Sequence, residues 1–174
     1  MTISRRDALS LAAAGTVAAV AGAVAGALAL QSRSGAAELL AASYPDTDGQ
    51  VRRLLSWRGT VLLCNFWATW CAPCREEVPI LVAAKQQWAS KGFEVVGIGI
   101  DSADKIREFY KSYQVNYPML IADGSALGLL RKLGNPGGGL PYSVLLDRTG
   151  SIAQRHLGAM TAPDLRRILE SLFG

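Results

Sequence analysis

Hydrophobic positions along this chain recur with two different periods, and the period assigns the elements. Val61 to Trp67 is an apolar run broken only by Asn65, too short for a helix, and it reads as a strand covered on both faces. From Cys74 to about Ser90, Val78, Leu81, Val82 and Trp88 recur at helical spacing, with Pro79 expected to kink the helix. Phe93 to Ile100 repeats the buried-strand pattern, and Ala103 to Tyr113 returns to an amphipathic helix capped by Asp101 or Ser102. A short strand at Met119–Ile121, a short helix at Ala126–Leu133 and the loop Gly134–Gly139 follow. Tyr142–Asp147 and Ser151–Leu157, joined at Arg148-Thr149-Gly150, form a hairpin that a helix from Pro163 to Leu172 closes. Upstream, Asp46 to Gln50 carries turn residues able to join two short strands. Strands alternating with helices, then a hairpin and a helix, predict an α/β fold with a mixed central sheet flanked by helices on both faces.

The N-terminus follows a different pattern. Arg5 and Arg6 precede Ala8 to Leu30, which is uncharged and apolar on every side, whereas a helix packed on a soluble core keeps a polar face. Residues 1–30 are therefore read as a signal peptide or a membrane anchor and kept out of the fold. Roughly 20 apolar residues suffice to span a bilayer. The small-x-small site Ala27-Leu28-Ala29 would permit cleavage, and the cleaved form is preferred. Ser4-Arg5-Arg6-Asp7-Ala8-Leu9 resembles a twin-arginine export signal, with Ala8 where Phe is usual. Residues 31–37, polar and small, read as a linker, and 38–174 as one domain. The formal charge of +4 is scattered without interleaved aromatics, which excludes a nucleic-acid surface. Export places the domain in an oxidising compartment, the periplasm.

Three cysteines are too few for a disulfide scaffold, but Cys71 and Cys74 are spaced C-x-x-C directly after a strand. A helix beginning near Cys71 sets that sulfur at the positive end of a helix dipole, where a cysteine pKa falls from ~8.5 toward ~3.5–7.5. Cys71 is thus the candidate nucleophile. Cys74, one turn on, is the candidate resolving thiol that attacks a mixed disulfide. Pro73 suits the first helical turn, and Trp70 would shield one side of the pair.

The segment Asn65-Phe66-Trp67-Ala68-Thr69-Trp70-Cys71-Ala72-Pro73-Cys74-Arg75-Glu76-Glu77-Val78-Pro79 resembles the active-site segment of TlpA/ResA-type periplasmic thiol-disulfide oxidoreductases. Val96 to Asp101 resembles that family's second core strand, and Gly139 to Gly150 its loop, strand and turn. The resemblance implies a thioredoxin-like fold and a reductant of extracytoplasmic protein disulfides, of the kind used in cytochrome c or copper-site maturation. It also implies a membrane-embedded thiol transporter as electron donor. Pro141 becomes the cis-proline facing the pair, and Trp70, Pro73 and Leu140 the surface where substrates dock. The protein is expected to act as a monomer without cofactor beyond its own dithiol. Two positions depart from the relatives: Asn65 stands where cytosolic thioredoxins carry a buried acid, and Tyr142 where the family often has Thr. Glu77, three residues after Cys74 and near the pair in the family, is then the candidate proton acceptor for Cys74. The competing reading is a first-turn carboxylate that complements the helix dipole, as Glu76 does.

The alternatives are weaker. Structural zinc needs two more ligands, and only Cys64 and His156 remain. A copper-binding or copper-delivering module is the alternative of a different class, because soft thiolates select Cu(I). No Met or His accompanies the motif. A peroxidase would need an activated cysteine without the C-x-x-C partner. Cys64 reads as an inert core residue, His156 as a surface residue on an edge hairpin, and Gly137–Gly139 as a flexible loop.

Overall fold

In a computed structural model, residues 22–24, 26–27 and 35–174 are described. The arginine pair and most of the apolar run lie outside them. Among the described residues no helix is long and apolar enough to cross a membrane. Residues 35–41 are helical (α1), with Ala36 and Leu39 buried. Gly35 to Ala37, which the sequence assigns to a linker, are therefore part of this helix.

The turn at Asp46 joins β1 (Ser43–Pro45) to β2 (Val51–Arg53) as an antiparallel pair. The Asp46 carboxylate organises it, taking the N–H groups of Asp48 and Gln50 at 3.0 and 2.9 Å. The main sheet is built from β3 (Val61–Trp67), β4 (Phe93–Ile100), β5 (Met119–Ala122), β6 (Tyr142–Leu146) and β7 (Ile152–Leu157). Its order is β5-β4-β3-β6-β7, with β3, β4 and β5 parallel and β6 and β7 antiparallel. This is the mixed sheet the periodicity predicts.

Side chains of β3 alternate between two cores, one on each face of the sheet. Val61, Leu63 and Trp67 pack under α2 (Ala72–Trp88), α3 (Ala103–Ser112) and α5 (Ala162–Phe173). Leu62, Cys64 and Phe66 pack under α1 and α4 (Ala126–Lys132). The central strands run fully buried because both faces are covered, which is why they read as continuous apolar runs. Helix α2 continues through Pro79 to Trp88.

Gly97 and Gly99 on β4 have a packing reason. A Cβ on Gly97 would fall 3.2 Å from Trp67 Nε1, and one on Gly99 would fall 2.6 Å from Ile106 Cδ1. The missing side chains let the Trp67 indole and helix α3 lie close against the strand.

Candidate active site

Strand β3 ends at Trp67, and Ala68–Trp70 carry the chain into α2. Cys71 is the N-cap of that helix: its backbone is extended, and its Sγ accepts the Cys74 N–H at 3.3 Å. One sulfur thus satisfies one of the N–H groups that a helix start leaves without an intrahelical partner. Ala72 and Pro73 fill the first two helical positions, where the missing proline N–H has nothing to bond. The two cysteines are joined as a disulfide with Cα atoms 5.3 Å apart. Cys71 is 6% exposed and Cys74 1%. The approach loop is tied at both ends, since the Thr69 hydroxyl donates to Asp101 and Arg75 Nη1 donates to the Thr69 carbonyl. Trp70 is left 66% exposed beside the pair.

Tyr142 pairs with Phe66, so β6 begins at the end of the sheet where the cysteine helix starts. The Leu140–Pro141 bond just before it is cis, as the resemblance implies. Leu140 packs against the cluster that contains both cysteines, while Pro73 is exposed. The Gly-rich loop ahead of Leu140 is less free than its composition suggests. Buried Asn135 clamps it, donating to the Gly139 carbonyl at 2.8 Å and accepting the Gly139 N–H at 3.2 Å. The Tyr142 hydroxyl donates to the Leu133 carbonyl at 2.6 Å. Neither anchor is visible in local sequence pattern.

Glu77 is 1% exposed and lies in the second turn of α2, not the first, because the helix starts at Ala72. Dipole complementation is therefore not its role, and Glu76, also in the second turn, loses that role too. The Glu77 carboxylate accepts from Asn65 Nδ2 at 3.0 Å and from the Met160 N–H at 2.9 Å. Asn65 also donates to the Ser143 hydroxyl at 3.0 Å. Burial pushes the Glu77 carboxyl above the ordinary carboxylate range, against the opposing pull of the Met160 N–H, the Asn65 amide and His156. Asn65 is thus a hydrogen-bond donor to this acid.

Cys64 faces the other core and is fully buried, and burial pushes its thiol far up. We expect iodoacetamide to leave it unlabelled at neutral pH in the folded protein and to label it only after denaturation; labelling of native protein would refute this. His156 is not the isolated surface residue that the hairpin pattern suggests. It is half-buried, pairs with Ser143 across β6 and β7, and exerts its charge on Glu77 and Asp164. Among the described residues no group of three His, Cys, Asp or Glu is arranged to hold a metal ion.

Comparison with known proteins agrees with this geometry. The redoxin family profile matches residues 34–171. The thiol-disulfide oxidoreductase ResA of Bacillus thuringiensis (strain Al Hakam) is 29% identical over 129 residues, 73% of this chain and 72% of that one. The thioredoxin-like protein YneN of Bacillus subtilis (strain 168) is 31% identical over 138 residues, covering 74% of each. Among solved structures, a thiol:disulfide interchange protein of the thioredoxin family from Chlorobium tepidum TLS superimposes with a TM-score of 0.66 at 31% identity, covering 76% of this chain and 93% of that one.

Proposed function

From its place in the redoxin family, to which the chain belongs as a thiol-disulfide oxidoreductase of the TlpA/ResA type, we propose that it reduces disulfides of extracytoplasmic proteins, with Cys71 attacking and Cys74 resolving. The observation that carries this assignment is the Cys71 sulfur at the helix N-cap, accepting a backbone N–H that would equally stabilise a thiolate. In the reduced protein the Cys71 thiolate attacks a substrate disulfide, forming a mixed disulfide and expelling one substrate thiolate. Cys74 gives its proton to Glu77 and attacks Cys71 Sγ, and the second substrate thiolate leaves with its electron pair. Two electrons have passed to the substrate, and the Cys71–Cys74 disulfide remains. A membrane-embedded thiol transporter restores the dithiol.

Leu140, Trp70 and Pro73 form the docking surface in this reading, beside the buried cis-proline Pro141. The apolar N-terminal run behind Arg5-Arg6 supports export to the periplasm by the twin-arginine route, with residues 8–30 cleaved or kept as an anchor. Substrates awaiting haem or copper insertion are the class that needs such a reductant. Insulin reduction in the presence of a dithiol, set beside a Cu(I) titration, tests the reading. Catalytic turnover with a couple near thioredoxin's potential of about −270 mV is expected. Stoichiometric Cu(I) binding without turnover would replace the reductant by a copper module.

Glu77→Gln tests the proton acceptor. The substitution is sterically mild, because Asn65 can reverse its amide: its oxygen then accepts from both the introduced amide and the Ser143 hydroxyl. Resolution of the mixed disulfide should slow by about 10²-fold, the low end for losing a general base. Stability gives a second signature. A carboxyl whose folded pKa is raised contributes fully below the unfolded value of about 4.3 and loses that contribution as pH rises through the folded value. The stability of wild type relative to Glu77→Gln should fall across that window, measured by urea titration of both proteins at each pH. Parallel curves would refute the raised carboxyl, and unchanged resolution would remove Glu77 from the mechanism.

A further inference from the structure

The turn between β7 and α5 touches both halves of the site. Its Gly158 N–H donates to the Pro141 carbonyl at 2.9 Å, and its Met160 N–H donates to Glu77 at 2.9 Å. His156 stands at the root of this turn. Its Nε2 lies 3.4 Å from the Ala159 carbonyl, which can only accept, so the contact assigns a hydrogen to Nε2. Its cross-strand partner is Ser143, whose hydroxyl takes the same Asn65 amide that donates to Glu77. Directly opposed residues of an antiparallel pair share a face, so the imidazole is on the Glu77 side of the sheet.

Charged groups reach this region from three elements. Glu77 comes from α2, Asp164 from α5, paired there with Arg167, and the positive imidazole favours ionisation of both carboxyls. Tyr117, buried on the same side, feels the Glu77 charge. Arg155, adjacent along β7, is directed to the opposite face and donates to the Leu133 carbonyl. His156 is the only histidine of the chain.

We propose that His156 is a positioning residue for Glu77: it braces the turn that supplies the Met160 N–H and, once protonated, keeps the carboxylate ionised and able to take the Cys74 proton in mildly acidic surroundings. The proposal rests on Glu77 being that acceptor. A positive charge near a buried carboxylate matters most in acid, where that carboxylate would otherwise be lost to protonation.

Rapid mixing of the reduced protein with an aromatic disulfide whose thiolate absorbs light separates the two steps, since attack by Cys71 releases one thiolate and resolution by Cys74 the second. In His156→Gln, whose amide can still donate to the Ala159 carbonyl but carries no charge, the second release should slow by about threefold near pH 5.5, equivalent to a displacement of the acid limb by about half a pH unit, and match wild type near pH 8. The first release should be unchanged. His156→Lys, which keeps a cation, should restore the rate near pH 5.5. Equal slowing at both pH values without rescue by Lys, or no slowing at acid pH, overturns the proposal. If Glu77→Gln leaves the second release and its pH profile as in wild type, the acceptor assignment falls and this proposal with it. If Glu77→Gln erases the acid limb while His156→Gln does not move it, only the role of His156 falls.

Discussion

Cys71→Ser should abolish disulfide exchange, by more than about 10³-fold, the scale on which loss of an enzyme nucleophile is felt. Cys74→Ser should instead leave the first attack intact and trap substrate on Cys71. The asymmetry follows from position. Cys71 caps α2 and its sulfur receives the Cys74 N–H, so a negative charge there is stabilised by a hydrogen bond and by the helix end together. Cys74 sits inside the helix at 1% exposure, out of reach of a protein disulfide yet adjacent to the sulfur it must attack. Mass spectrometry of Cys74→Ser after incubation with oxidised substrate should find a covalent adduct on Cys71. Reduced protein alkylated at neutral pH should be labelled at Cys71 first. Initial labelling of Cys74, or a Cys74→Ser protein that turns over normally, would reverse the assignment.

Trp67→Ala should cost about 3–5 kcal/mol, the range for truncating a buried aromatic side chain. The indole is 1% exposed, meets the Phe109 ring at 4.5 Å between centroids and rests against Gly97 and Gly99. Its loss opens a cavity in the core that also contains Cys71 and Cys74, so exchange should slow even in the folded fraction. Among the described residues Trp67 Nε1 has no hydrogen-bond partner, so the residue is held for its shape. Trp67→Phe discards that unpaired N–H and most of the volume is kept, so its cost should be less than half that of Trp67→Ala. Urea unfolding of the two variants checks both figures. Equal losses would refute the packing account of Trp67.

What the sequence by itself determined is short in range. The run from Asn65 to Pro79 shows a strand, a turn and a proline-started helix, and those alone put a sulfur on a helix end and its partner one turn later. Helix-end electrostatics act within a turn, so the chemistry of Cys71 and Cys74 is written in neighbouring residues. Element order is legible for the same reason, since a covered strand and an amphipathic helix differ in period. The helical residues 35–37 escaped this reading because small residues such as Gly35, Ala36 and Ala37 carry no strong periodic signal, and only packing of Ala36 into the core shows what holds them.

The tertiary structure alone decided the surroundings of Glu77. Its partners Asn65 and Met160 lie 12 and 83 residues away, and Asn65 in turn meets Ser143 across 78. Pairing of β6 beside β3 sets Ser143 against Asn65, the β7–α5 turn brings the Met160 N–H to the Glu77 carboxylate, and pairing of β7 with β6 sets His156 on the same face of the sheet. Local pattern left Glu77 between a proton acceptor and a dipole residue, and made His156 a surface residue, because the partners that settle each lie far along the chain. Sheet register aligns strands along their whole length, so it joins groups that no local energy term relates, and a buried carboxylate is made tolerable only by donors delivered from those distant segments.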